Sequence, residues 1–238
     1  MAESGILKLF ISFFSLPFII LSRCCELVDA WRIREDTRKC IAIVDSSINK
    51  IPLPFILSLV AAEDHRNALH KGIDPIAIIR AVYVRLRSGD VQGASTIEQQ
   101  FVRVATNRFE RTVSRKLREQ ILAIAVSRRR SKFQIASAYL SIAFYGSGCI
   151  GDRGLKSRCG NNLFSAKEND ILGMIARLKY PEPLHASVQW KNILKQRIKY
   201  IRICKGRSAI KASQLIAEPF SGLAVSRHNA VSPGGHHI

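Results

Sequence analysis

This chain of 238 residues carries 37 Lys+Arg against 18 Asp+Glu, a formal net charge of +19, so its surface attracts anionic lipid headgroups, polyphosphates or nucleic acid. The length fits one domain, or one domain with an anchor and a tail, and supports a core that needs no disulfide or metal staple. Six cysteines form no CxxC and have no histidine at ligand spacing, which argues against a zinc site and leaves buried free thiols as the default, with a Cys149–Cys159 pair open in an oxidising compartment.

The first predicted element is apolar. Leu9 to Ser22 is uncharged, with Lys8 before it and Arg23 after it. It is marginal as a membrane span, which needs about 20 apolar residues. It also fits the apolar part of a secretory signal, with Val28-Asp29-Ala30 as a cleavage site. Either reading exports the rest of the chain, although Arg23, Arg32, Arg34, Arg38 and Lys39 then violate the positive-inside rule.

Lys39 to Val44 is the one predicted strand, and everything after it reads as helix. Pro54 opens a helix as its first residue, with Phe55, Ile56, Leu59 and Val60 on one side. Asp74-Pro75 starts the next, with Ile78, Ile79, Val82, Tyr83 and Leu86 facing inward, and Gly89 ends it. Ser95 and Glu98 form a capping box for a third helix running towards Asn107. Val113, Leu117, Ile121 and Ile124 mark a fourth. Ser131 with Gln134, and Ser165 with Glu168, open two more, and Trp190 to Cys204 is the last. The chain therefore divides into an anchor or signal segment (1–38), a mainly α domain (39–205) and a basic, disordered tail (206–238).

The candidate chemistry lies at three places. Glu63 ends an apolar stripe, either as a solvated helix-end acid or as a partly desolvated general base. Glu119 shares a helix face with Arg115 and Lys116, either as a solvated ion pair or as part of a cation group that grips phosphate, which Arg103 would join. From Arg103 to Lys132 there are ten basic residues and only two acids, Glu110 and Glu119. Glu98 is accounted for by capping. His70 either hydrogen-bonds its loop or takes part in chemistry, and a lone histidine is no metal site. Gly146 to Gly151 spells GxGxxG, but a helix precedes it, so it reads as a turn and not as a dinucleotide site.

In order and spacing these residues resemble the peptidoglycan glycosyltransferase domain of monofunctional transglycosylases and class A penicillin-binding proteins. The pattern ED-x-x-F-x-x-H-x-G is matched by Glu63-Asp64, His70 and Gly72, with Asn67 in place of the aromatic. G-x-STITQQ and its following basic residue are matched by Gly93, Ser95-Thr96-Ile97, Gln99-Gln100 and Arg103, with Glu98 in place of Thr. RK-x-x-E is matched by Arg115-Lys116 and Glu119. A fourth motif is matched by Ser131-Lys132, Ile135, Tyr139-Leu140, Tyr145 and the glycines, with Ser137 and Ser141 in place of Glu and Asn.

The resemblance implies a lysozyme-like helical lobe with a small membrane-proximal lobe, held by one N-terminal anchor on the outer face of a bacterial inner membrane. It implies inverting polymerisation of lipid II into β-1,4 glycan strands with release of undecaprenyl diphosphate. Glu63 and Glu119 would be catalytic, and Asp64, His70, Ser95, Thr96, Gln99, Gln100, Arg103, Arg115 and Lys116 would bind substrate. No cofactor is required, although Mg or Mn at the diphosphate is compatible with it. The expected partners are lipid II, the growing strand, anionic lipids and other cell-wall synthesis proteins, and not nucleic acid. Ser47 to Lys50 spells SxxK, but no KTG follows, so no transpeptidase activity is expected. A glycan-cleaving lysozyme-like enzyme, or a non-catalytic lipid II-binding scaffold, are the alternatives.

Overall fold

The computed structural model describes residues 2–216. The described chain is mainly α, as expected. Its helices are α1 (Ala2–Leu27), α2 (Ile33–Ser46), α3 (Leu53–Glu63), α4 (Pro75–Ser88), α5 (Ile97–Ala105), α6 (Val113–Ser127), α7 (Lys132–Ile142), α8 (Gly151–Cys159), α9 (Glu168–Lys179) and α10 (Val188–Ile216). A two-stranded antiparallel sheet, β1 (Phe144–Gly146) with β2 (Cys149–Ile150), lies between α7 and α8. The core gathers Phe55 and Leu59 of α3, Phe101 of α5, Ile121 and Leu122 of α6, Leu140 of α7 and Leu172 of α9, all buried.

Helix α1 is longer than its uncharged centre. Gly5–Leu27 has mean hydropathy 2.0 over 23 residues, long and apolar enough to cross a membrane. At 1.5 Å per residue it reaches about 35 Å, against roughly 30 Å of hydrocarbon. One face, carrying Ile11, Ser15, Ser22 and Cys25, is buried against the domain. Ser22 donates to the Ile121 carbonyl at 3.0 Å, and Glu26 pairs with Arg128 and with Arg129 at 2.8 Å. This end of α1 is therefore fastened to α6.

Three expectations are corrected. The strand at Lys39 to Val44 is the second half of α2, because Ile33, Thr37, Cys40 and Val44 recur at helical spacing and are all buried. Local β preference in Ile41 to Val44 loses to that stripe. In α4 the side predicted to face inward is bare: Ile79, Val82, Tyr83 and Leu86 are exposed, Leu86 by 82%, and only Pro75 and Ala77 are buried. Val113 of α6 is likewise exposed. The GxGxxG run is the turn it was read as, here within the β1–β2 hairpin: Gly146, at φ 143°, lies so close to Glu182 that a Cβ would come within 2.5 Å of its backbone.

Several end signals behave as read. Asp74 caps α4 by accepting from the Ala77 amide, and Gly89 takes the left-handed conformation at its end. Ser131 and Gln134 form a reciprocal capping box on α7. Others shift. Thr96, not Ser95, caps α5, and α9 starts after Lys167, with Ser165 in a preceding 3-10 turn. All six cysteines are free, including Cys149 and Cys159. Helix α10 continues past 205 to Ile216, and the remainder of the expected tail, 217–238, lies outside the described residues.

Candidate active site

Helix α5 is the mounting for the site. Its first turn is tied to the segment after α3 by one side chain from that segment and by its own cap residue. Asp64 accepts the Ile97 amide at 3.2 Å, and Thr96 caps the helix while donating to the Gly72 carbonyl at 2.7 Å. Gly72 must be glycine here: its φ is 93°, and a Cβ would meet the backbone of Ala123 and Ile124 at 2.8 Å. The loop from Asp64 to Gly72 is thereby clamped between α5 and α6.

On one flank of α5 stands Glu63, the last residue of α3. Its Oε1 accepts from Arg197 Nη2 at 2.6 Å, and Gln100 Nε2 lies 3.5 Å from Oε2. Gln100 is held the right way round by Tyr139, whose hydroxyl donates to the amide oxygen at 2.8 Å. Burial pushes the Tyr139 hydroxyl well above its usual range, and the nearby Glu63 charge adds to this, so it stays a donor. Glu63 is therefore not a solvated helix-end acid but a largely buried carboxylate held by polar partners. It is an oriented anion with one tightly held oxygen and one loosely held.

On the other flank is Glu119 of α6. Arg103 of α5 grips it with two bonds, 2.8 Å from Nε and 3.1 Å from Nη2; Lys116 Nζ is at 2.7 Å, and Arg115 completes the set. Burial works to raise the Glu119 carboxyl, but these cations outweigh it and hold it below the usual range. Burial lowers Lys116, with Glu119 opposing. Lys116 also donates to Ser95 at 2.9 Å and to Gln99 at 2.6 Å. Arg103, Arg108, Arg115 and Arg118 line a small pocket beside Glu119.

Thus α5 carries Gln100 towards Glu63, and Gln99 and Arg103 towards Glu119. The predicted residues divide by depth. Glu63, Ser95, Gln100, Arg103, Arg115 and Lys116 are partly open, whereas Asp64, His70, Thr96, Gln99 and Glu119 are buried and support them from beneath. Thr96 and Gln99 were expected to line the cleft and instead spend bonds on the helix cap and on Lys116. Asp64 accepts a hydrogen bond from His70 Nε2 at 3.1 Å. Burial works to raise its carboxyl, but His70, Lys132 and Asn67 prevail and hold it at about 2.

Sequence reasoning missed two residues. Arg197 lies in the helix expected from Trp190 to Cys204, where no functional residue was expected, yet it is on the same helical stripe as Leu194 and Ile201, both buried, and that spacing was the available signal. Glu98 is not half of a capping box. It is only 1% exposed and is paired with Lys132. Asp64, His70 and Glu98 offer ligand atoms within 4.8 Å of one another, but the Lys132 ammonium, 3.2 Å from His70 Nδ1, already serves as their cation.

Penicillin-binding protein 1A of Aquifex aeolicus is 45% identical over 106 residues, covering 44% of this chain and 15% of that protein. Penicillin-binding protein 1A of Escherichia coli is 39% identical over 106 residues, covering 44% of this chain and 12% of the relative, and that of Rickettsia prowazekii is 38% identical over 108, covering 44% and 14%. The matched part is thus a small share of those relatives' length. The Transglycosylase family model matches residues 34–201, from α2 to α10, and so takes in both acids and the helix between them. The chain belongs to the transglycosylase family.

Proposed function

We propose that this chain is a peptidoglycan glycosyltransferase that polymerises lipid II into β-1,4 glycan strands, with inversion at the donor sugar and release of undecaprenyl diphosphate. The observation that carries this reading is the mounting of an oriented carboxylate and a three-cation group on opposite flanks of one short helix. An acceptor hydroxyl must lose a proton as its oxygen attacks the donor carbon, while the bond from that carbon to the diphosphate breaks. Glu63 takes the proton, on Oε2, the oxygen that Arg197 leaves free. The departing diphosphate is a stable anion, so it needs charge neutralisation rather than an acid. Arg103, Arg115 and Lys116 supply it, with Glu119 spacing them.

A divalent ion does not fit at Glu119. Both its oxygens are already engaged by three cationic side chains, so a metal would find repulsion and no free ligand. Turnover in EDTA is therefore expected.

The apolar side of α4 supports a membrane-proximal placement. Helix α4 packs against α1, and Arg80, Arg85 and Arg87 sit beside its exposed Ile79, Val82 and Leu86, the pattern of an interfacial helix on anionic lipid. The domain then lies on the outer side, where lipid II is polymerised. The test is direct. Purified protein given lipid II should yield polymer, and Glu63→Gln should abolish it while leaving the fold intact by circular dichroism. Polymer from that variant would remove Glu63 as the base.

A further inference from the structure

Two departures from the family pattern, Asn67 and Glu98, touch each other. Glu98 sits in the first turn of α5 and is 1% exposed; its Oε1 receives the Lys132 ammonium, and Asn67 Nδ2 lies 3.5 Å from the same atom. Asn67 Nδ2 also donates to Asp64 Oδ2 at 3.2 Å. From the other side, the Lys132 ammonium lies 3.2 Å from His70 Nδ1. An ammonium has only protons to give, so Nδ1 accepts and Nε2 carries the ring proton, which it donates to Asp64. Asp64 is thus approached by two routes that both begin at the Glu98–Lys132 pair.

Asp64 follows Glu63 directly and holds the Ile97 amide at the start of α5. Gln100, on the same helix, reaches back to Glu63. Whatever fixes Asp64 therefore fixes the distance between Glu63 and the helix that carries the rest of the site. We propose that Glu98 and Asn67 act as one linked pair of positioning residues, which with Lys132 and His70 lock Asp64 and so set Glu63 against α5. An aromatic at 67 and a threonine at 98 would do the job by packing; here a buried polar relay does it.

The proposal rests on the polymerase reading, and the experiment separates the two. The full-length protein in detergent is compared with Glu98→Gln, Asn67→Phe, Glu98→Thr and the double Asn67→Phe/Glu98→Thr, recording kcat and KM for lipid II with thermal midpoints alongside. Assays run well below every midpoint. Each single variant should lose roughly tenfold in kcat, about what a shift of a fraction of an ångström costs a positioned base, with KM within about twofold. The double should recover to within about threefold of the parent, because it replaces the relay by the packed pair. A lower midpoint with unchanged kcat would make the relay merely structural. Additive losses in the double would sever Glu98 from Asn67. If the parent itself fails to turn over lipid II, the polymerase reading fails, and amide exchange then decides the relay: faster exchange in 63–72 and 96–100 on Glu98→Gln supports it, and unchanged exchange overturns it. If Glu98→Gln does not fold, Lys132→Gln breaks the same link from its more open end and is read by the same criteria.

Discussion

Replacing Glu119 by Gln removes one negative charge from the middle of three positive ones while keeping the shape of the side chain. In the parent, Glu119 is only 4% exposed and receives Arg103 at 2.8 and 3.1 Å, Lys116 at 2.7 Å, and Arg115. Breaking a fully buried pair costs about 3–5 kcal/mol. Here the cations retain 29%, 17% and 32% of their side-chain exposure, so they can turn partly to water, and about 2–3 kcal/mol is a fairer figure. For a domain of this size that lowers the thermal midpoint by roughly 5–10 °C. The three cations are then mutually repelling, so two modifiers should shrink the loss: higher salt, by screening, and inorganic pyrophosphate, by supplying the missing negative charge. Differential scanning fluorimetry of the detergent-solubilised protein reads all of this. Polymerisation should fall by about 10²–10³, since cations that are no longer spaced cannot meet the leaving diphosphate together. A midpoint within about 1 °C of the parent, insensitive to pyrophosphate, would show that Glu119 does not hold the group together.

Three further outcomes follow from the geometry. Arg197→Ala should lower kcat/KM about 30-fold through loss of the charge-assisted bond at 2.6 Å, with Arg197→Lys keeping part of it, and steady-state kinetics on lipid II checks both. Asp64 is held at about 2, below its usual 3.8, so its contribution is fully present above about pH 4 and is lost as pH falls towards 2. The amount is about 2 kcal/mol. Urea titrations at pH 5 and pH 3 should differ by a large part of it more in the parent than in Asp64→Asn. Gly146→Ala should destabilise by about 3 kcal/mol or more, since the added carbon meets the Glu182 backbone and φ 143° suits only glycine; a lowered midpoint checks this.

What could be read in the sequence was what local spacing controls. Arg115, Lys116 and Glu119 lie three and four apart on one helix, and the structure brings them together as spacing requires. Asp74 and Ser131 announced their helices because a cap depends on the next three residues alone. Glu63 was placed correctly at a helix end, but its partner Arg197 comes from 134 residues further on, and no local pattern couples the two. The same limit explains Glu98, whose spacing from Ser95 fits a capping box until Thr96 takes the cap and Lys132 arrives from α7. The exposed face of α4 was misread for a different reason. Apolar periodicity shows which side of a helix avoids water and is silent on whether protein or lipid covers it.

The use made of the few acids ties these observations together. In a chain with 37 cationic side chains and 18 anionic ones, an acid is the scarce partner, and where acids are buried they mark where cations have been ordered. Glu26 fixes Arg128 and Arg129 at the junction with α1, and Asp36 pairs with buried Arg118 where α2 packs against α6. Glu98 fixes Lys132 behind the site, Glu63 orients Arg197, and Glu119 gathers three cations at once. Among the described residues, only at Glu119 do cations outnumber the acid three to one in a single cluster, leaving a local surplus of two charges on partly open side chains. That surplus is what a diphosphate would neutralise. It arises because Glu119 is buried deeply enough to face all three cations, while they remain exposed enough to face a ligand.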